Sequence, residues 1–322
     1  MMTCLLATFR RRKCSGTALT TVSPCRAPTR NINVLNQVAL DISSGSVHAV
    51  IAPPGHGKSA LLKAIAGLLP QDDITAGRIL FASDTSQGWV IQQQLLVPTR
   101  EHGAMHKLVA FVDQVDFHYP RLTVHEVLLE AAQLTNAPLP QETAAAYNAR
   151  LAARVQEVIQ LLGLGEAANT IVGDRSLRGI SGGQRRRLSL GEMLVTPARI
   201  VLADQITDGL DSSTARDIMQ ALAQWAHSTG AVVITTVNQP TPEVLATTDG
   251  VVLLREGSVV YSGAFDGMQT YFTDVLRLSP PLDMDLADFA IELLSDPGFV
   301  SGQYRQEAAG DANSDGTAPL PP

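Results

Sequence analysis

The chain has 322 residues, 45% hydrophobic, 17% charged and 5% aromatic. That is enough apolar material for a sizeable core without disulfide or metal staples, and it excludes a mainly disordered chain, a collagen and a small disulfide scaffold. With 24 Lys and Arg against 31 Asp and Glu the net charge is −7, which counts against a general nucleic-acid binder.

Residues 1–30 stand apart. They hold Arg10, Arg11, Arg12, Lys13, Arg26 and Arg30 with no acid, and all three cysteines, Cys4, Cys14 and Cys25. A basic, acid-free segment rich in Ser and Thr has the composition of an organelle transit peptide and equally of a plain disordered start. The globular part lacks cysteine, so it needs neither a disulfide nor a cysteine metal site. Order is expected from Asn31.

Ser46 to Ala52 is an apolar run feeding a Pro- and Gly-containing loop and predicts a buried strand. Lys58 to Gly67 predicts a helix closed by glycine. Residues 82–107 are Gln-rich and predict an irregular surface insertion. Leu108 to Val112 predicts a second buried strand. Val124, Val127, Leu128, Ala131 and Leu134 follow helical spacing behind a Thr123 N-cap, and Leu151, Val155, Val158, Ile159 and Leu162 repeat the pattern. Strands return at Ile200–Ala203, Ala231–Val237, Gly250–Leu254 and Ser258–Tyr261. The expected fold is an α/β core with an inserted helical subdomain at about 115–195. Residues 296–322 predict a disordered tail. No apolar run reaches the ~18 residues of a membrane-crossing helix. No direct membrane span is therefore expected, and any membrane role falls to a partner.

The chemistry begins at Ala52-Pro-Pro-Gly55-His-Gly57-Lys58-Ser59. Glycines in a strand-to-helix loop let backbone N–H groups close on phosphate oxygens, and the helix N-terminus favours the anion. Pro54, Gly55, His56, Gly57, Lys58, Ser59 and Ala60 form the candidate nucleotide loop. Lys58 would reach the outer phosphates and Ser59 would ligate Mg²⁺. Ala52 stands where the motif has its first glycine, which is tolerable if its φ is negative. Asp204, closing the run Ile200-Val-Leu-Ala, supplies the second half of a magnesium site.

Ile180-Ser-Gly-Gly-Gln184 lies just upstream of that strand. Taken with the Lys58 loop and Asp204, it makes residues 31–295 resemble the nucleotide-binding domain of ATP-binding cassette (ABC) transporters. The stretch from Ser176 through Gly191-Glu-Met to Gly209-Leu-Asp-Ser-Ser-Thr214, with Ile206 rather than Pro after the paired acid positions 204 and 205, resembles the G subfamily, of the pleiotropic drug resistance type. The resemblance implies a P-loop NTPase (RecA-like) core with an antiparallel β subdomain. It implies that Ser181, Gly182, Gly183 and Gln184 complete the ATP site of a second such domain, paired head to tail. It further implies that Gln114 meets Mg²⁺ and senses a transmembrane domain, that Asp211 belongs to the loop between paired sites, and that Asn238 stands at the switch position. ATP and Mg²⁺ are the implied ligands, a second cassette and a transmembrane domain the implied partners, and the cytoplasmic face of a membrane the implied location. Asp288-Phe289 resembles the connector before the membrane domain, which is then expected on another polypeptide or lost from the gene model.

Two positions depart from the family. Where the family has a general-base Glu after the Asp204 position, this chain has Gln205, a carboxamide that can orient water but cannot take its proton. The switch histidine is Asn238. Gln205, Asn238 and Gln114 are thus the hydrolytic candidates of a site expected to hold Mg-ATP and turn it over slowly, as in an impaired first half of a full-size transporter. The alternatives are a soluble ABC ATPase working on ribosomes or DNA, and an inert ATP-binding regulator. Arg185 to Arg187 read as a solvated or carboxylate-paired helix face rather than a nucleic-acid patch.

Overall fold

The computed structural model describes residues 2–14, 29–69, 74–85, 88–95, 108–281 and 283–295. Among the described residues, ten strands form two sheets. The larger has the order β10-β9-β3-β8-β7-β6, from β3 (Ser46–Ile51), β6 (Val109–Val112), β7 (Ile200–Ala203), β8 (Val232–Val237), β9 (Gly250–Arg255) and β10 (Ser258–Gly263). Its inner strands are parallel, and β10 closes the edge antiparallel to β9. β7 and β8 are buried along their whole length, which is why Ile200-Val-Leu-Ala and Val232-Val-Ile-Thr-Thr-Val are continuous runs rather than alternating ones.

The smaller sheet is antiparallel, in the order β2-β1-β4-β5, from β1 (Met2–Cys14), β2 (Thr29–Ile42), β4 (Ile74–Thr85) and β5 (Gly88–Leu95). Two expectations are corrected here. Met2–Cys14, placed by composition in a disordered segment, is paired on both sides, with β2 and β4. Part of the supposed irregular insertion at 82–107 is the β4–β5 hairpin. Composition records charge and Ser/Thr content but carries no information on a distant strand offering hydrogen bonds. The remainder of that segment, residues 86–87 and 96–107, and the tail at 296–322 lie outside the described residues.

Helix α1 (Lys58–Ile65) follows β3 and ends before Gly67, whose φ of 70° is the left-handed stop that a C-terminal glycine provides. Between β6 and β7 come α2 (Val124–Thr135), α3 (Ala144–Leu161) and α4 (Gly182–Leu194). Thr123 caps α2 in a reciprocal capping box with Glu126. The apolar faces of these helices pack together through Leu128, Leu151, Val155 and Leu188, continuous with the core under α5 (Ser212–Thr229). A second core lies between the large sheet, α1 and β2, around Leu35, Leu61 and Leu62. A third gathers α6 (Pro242–Leu245), α7 (Phe265–Thr270) and α8 (Leu286–Ser295) against β9. There the Phe289 ring meets Phe272 edge-on, with centroids 5.4 Å apart. Among the described residues no helix is long and apolar enough to cross a membrane.

The β9–β10 turn carries Glu256 and Gly257, both at positive φ. Gly257 O accepts the Asn36 N–H at 2.8 Å, and a Cβ on Gly257 would overlap the Val34 carbonyl. This turn therefore locks β2 and the phosphate loop to the edge of the large sheet.

Leu128→Ala should cost about 2–5 kcal/mol, because Leu128 is fully buried among three helices. Gly257→Ala should cost at least about 2 kcal/mol from left-handed strain plus backbone overlap. Urea denaturation of the full chain measures both, and losses below about 0.5 kcal/mol would contradict the packing described.

Candidate functional site: a phosphate loop at the strand ends

Parallel strands deliver their C-terminal ends to one edge, where ligands of such sheets bind. Ile51 of β3 is level with Val237 of β8, Ala203 of β7 with Thr235, and Val112 of β6 with Ala203. The next residues along each strand are the Lys58 loop, Asn238, Asp204 and Asp113-Gln114. Sequence positions spread over nearly two hundred residues thus converge because the sheet is parallel and in register.

Gly55 and Gly57 take φ of 85° and 100°. Gly57 is the N-cap of α1, and a Cβ there would lie 2.9 Å from Val34 O. Both conformation and space require glycine. Ala52, buried at the end of β3, is not among the residues with positive φ, so the absent first glycine costs nothing. Lys58 is buried at 5% exposure, and its ammonium donates to the carbonyls of Ala52 and Pro53. Desolvation lowers its pKa, opposed by the carboxylates of Asp208 and Asp204. A partly dehydrated cation hydrogen-bonded to loop carbonyls is a ready partner for a phosphate oxygen. Ser59 follows at the second position of α1, and Ala60 faces the core beneath it. His56 is a brace. Its Nδ1 accepts the Glu256 N–H at 3.2 Å, and its pKa is lowered by desolvation against the pull of Glu256.

Asp204 is 1% exposed. Its Oδ1 accepts the Thr236 hydroxyl at 2.7 Å, and the same hydroxyl oxygen accepts Gln205 N–H at 2.7 Å. Gln205 sits at φ 53°, unusual outside glycine, with its Oε1 accepting Gln114 Nε2 at 2.6 Å. Asn238 Nδ2 donates to Asp208 Oδ2 at 2.6 Å. Pro54, Asp208, Gly209, Leu210 and Asn238 line a cleft of about 490 Å³. Ser59, Asp204 and Gln114 offer hydroxyl, carboxylate and amide oxygens, a hard donor set suited to Mg²⁺ shared with phosphates and water. Among the described residues no cluster of His, Cys, Asp and Glu forms a protein-only metal cage.

Ser181, Gly183 and Gln184, the signature sequence in the family resemblance, line a different cleft of about 350 Å³ with Arg187, Leu210 and Asp211. Ser181 caps α4, accepting Gln184 N–H at 3.2 Å while Gln184 Oε1 accepts Ser181 N–H at 2.9 Å. Gly182 opens that helix, and a Cβ on it would meet nothing within 4 Å. Asp211 caps α5 through Thr214 N–H and the Ser213 hydroxyl, bonds that hold its carboxyl well below the usual range. It lies with Ser181 and Gly183 in that cleft, which shares Gly209 and Leu210 with the cleft lined by Pro54, Asp208 and Asn238.

The main residue that sequence reasoning missed is Arg186. It is 4% exposed and donates to the carbonyls of Asp113 (2.7 Å), Asp204 (2.7 Å) and Gln205 (3.1 Å) and to Asp116 Oδ1 (2.9 Å). Asp116 also accepts the Ser189 hydroxyl at 2.6 Å, and Ser189 Oγ lies 2.9 Å from Nε2 of buried His118. Arg185 donates to the carbonyls of Val172 and Gly173, and Arg187 to that of Leu162. The basic run is thus internally bonded. Asp208 and Thr236 were missed because only tertiary pairing reveals them.

Residues 35–208, more than half of the chain, match the family model described as ABC transporter. ABC transporter G family member 25 of Arabidopsis thaliana is 38% identical over 87% of this chain and 39% of its own length. ABC transporter G family member 33 of the same plant is 32% identical over 88% and 21%. Member 47 of Oryza sativa subsp. japonica is 31% identical over 84% and 20%. The chain thus spans well under half the length of these curated relatives. In fold it is similar to the dimeric structure of MJ0796, a bacterial ABC transporter cassette, with a TM-score of 0.60 at 22% identity over 82% of this chain and 98% of that one. A post-hydrolysis state of MJ0796 bound to ADP and Pi gives 0.57 at 21% identity, with the same coverage. From its matched domain and its fold, the chain belongs to the ABC transporter family.

Proposed function

We propose that this chain is the ATP-binding cassette of a membrane transporter. It binds Mg-ATP between the Lys58 loop and Asp204 and lends its Ser181–Gly183 helix end to the nucleotide of a second cassette. The pair drives transport through a transmembrane partner, which holds it at the cytoplasmic face. The observation that carries this reading is the separation of two anion-ready helix ends. Pro54 of the loop before α1 lines one cleft with Asp208 and Asn238, Ser181 and Gly183 of the α4 start line another, and Gly209 and Leu210 line both. A helix end that cannot serve the chain's own lysine loop is useful when a second molecule brings its nucleotide to it. The MJ0796 cassette, similar in fold, is dimeric in its solved structure, which supports the same arrangement.

The surface around Gln114 suits a transmembrane partner. Val115, Phe117 and Tyr119 are 76%, 86% and 66% exposed. Three large apolar side chains beside a buried Arg186 network form a face from which a docked partner could act on Gln114.

In the ATP site, backbone N–H groups of the loop and the Lys58 ammonium hold the phosphates. Ser59, Asp204 and Gln114 would hold Mg²⁺, which when bound offsets charge on the outer phosphates. Gln205 can hydrogen-bond an attacking water but cannot take its proton. Turnover in this site is accordingly slow, a further proposal that rests on Gln205. A second reading, an inert ATP-binding regulator, draws on the amide–amide bond between Gln114 and Gln205.

Lys58→Ala should weaken Mg-ATP binding about ten- to hundredfold, the worth of charged hydrogen bonds, as read by displacement of a fluorescent ATP analogue. Unchanged affinity would remove the phosphate-loop assignment. Gln205→Glu should raise the ATPase rate of the full chain at least about tenfold. No gain would favour the inert regulator.

A further inference from the structure

Three carboxylates follow β7 in the chain, Asp204, Asp208 and Asp211. Asp204 is buried and its Oδ1 is bonded to Thr236. Asp211 is committed to capping α5. Asp208 differs from both. It stands exposed on the turn after β7, its N–H donated to Gln205 O at 3.2 Å. Its Oδ2 accepts from Asn238 Nδ2 at 2.6 Å, and among the described residues Oδ1 takes no protein donor. Asp208, Asn238 and Pro54 of the phosphate loop line the same cleft. The Asp208 carboxylate, like that of Asp204, opposes the desolvation of Lys58.

We propose that Asp208, held by Asn238, is the proton acceptor for hydrolysis in this site, in place of the carboxylate that Gln205 cannot supply. The proposal rests on the reading that the cleft takes Mg-ATP. Water oxygen forms a bond to the γ-phosphorus. The bond from that phosphorus to the β–γ bridging oxygen breaks, its electron pair leaving with ADP. One water proton passes to Asp208 Oδ1 and then to solvent, and the other stays on the released phosphate. Gln205, whose carbonyl accepts the Asp208 N–H, keeps the role its amide allows, a hydrogen bond to the same water. Asn238 fixes one carboxylate oxygen so that the other is left for the water.

The test is single-turnover hydrolysis of γ-labelled ATP by the full chain, with fluorescent-nucleotide affinity measured on the same samples. Asp208→Asn should slow turnover at least about tenfold, as loss of a general base does, with affinity unchanged. Asp208→Asn combined with Gln205→Glu should recover turnover, because a carboxylate returns by the other route and shows that the altered turn is intact. Faster turnover with tighter binding in Asp208→Asn would overturn the proposal and make Asp208 a like-charge barrier to the γ-phosphate. A double variant that binds nucleotide but stays slow would also overturn it. An unaltered chain that binds but never hydrolyses sinks this proposal and the slow turnover while leaving the nucleotide-binding cassette reading intact, whereas an unaltered chain that binds no nucleotide sinks that reading too.

Discussion

The buried ammonium of Lys58 is the constraint on which the rest of the structure depends. A cation taken out of water is costly unless dipoles or anions surround it. Here β3 ends in a loop whose carbonyls receive it, and Gly55 and Gly57 make the curvature that brings those carbonyls inward. The neighbouring strands then bring Asp204 and Asp208 within electrostatic reach. A triphosphate answers the same demand better than carbonyls do, since it offers full negative charge at hydrogen-bond distance. The electrostatic demand is thus built by strand order and register, not by any one motif.

Arg186 is the second organising contact. From the signature helix it reaches the carbonyls that end β6 and β7, tying Asp113, Asp204 and Gln205 together. Through Asp116 and Ser189 the same network runs to His118, beside the exposed aromatic residues of that segment. Helix α4, the strand ends that carry the magnesium candidates and the exposed segment Val115–Tyr119 therefore meet at one polar cluster. Motion in any of them would be felt by the others, because a buried guanidinium cannot lose its acceptors cheaply.

Much of this was legible in the sequence. The large-sheet strands follow from short apolar runs, and the caps at Thr123 and Ser181 from residue type followed three places later by Glu or Gln. Asp204 was legible because it follows such a run directly, and Lys58 because it ends the Gly-containing loop after one. Asp208 and Arg186 were not. The first gains meaning only when β8 brings Asn238 beside it, and the second hides within a run of three arginines of which it alone reaches the strand ends. The strand at Met2–Cys14 was obscured for a related reason, since its arginines read as a solvated leader until β2 and β4 supply its partners.

The most direct test of the central claim is amide hydrogen exchange of the full chain with and without Mg-ATP. Protection should rise over residues 53–60, where the loop N–H groups close on phosphate. At high protein concentration it should rise also over residues 181–185, where a second copy's nucleotide meets the Ser181 helix end. Protection at neither segment, or at the second with none at the first, would contradict the account.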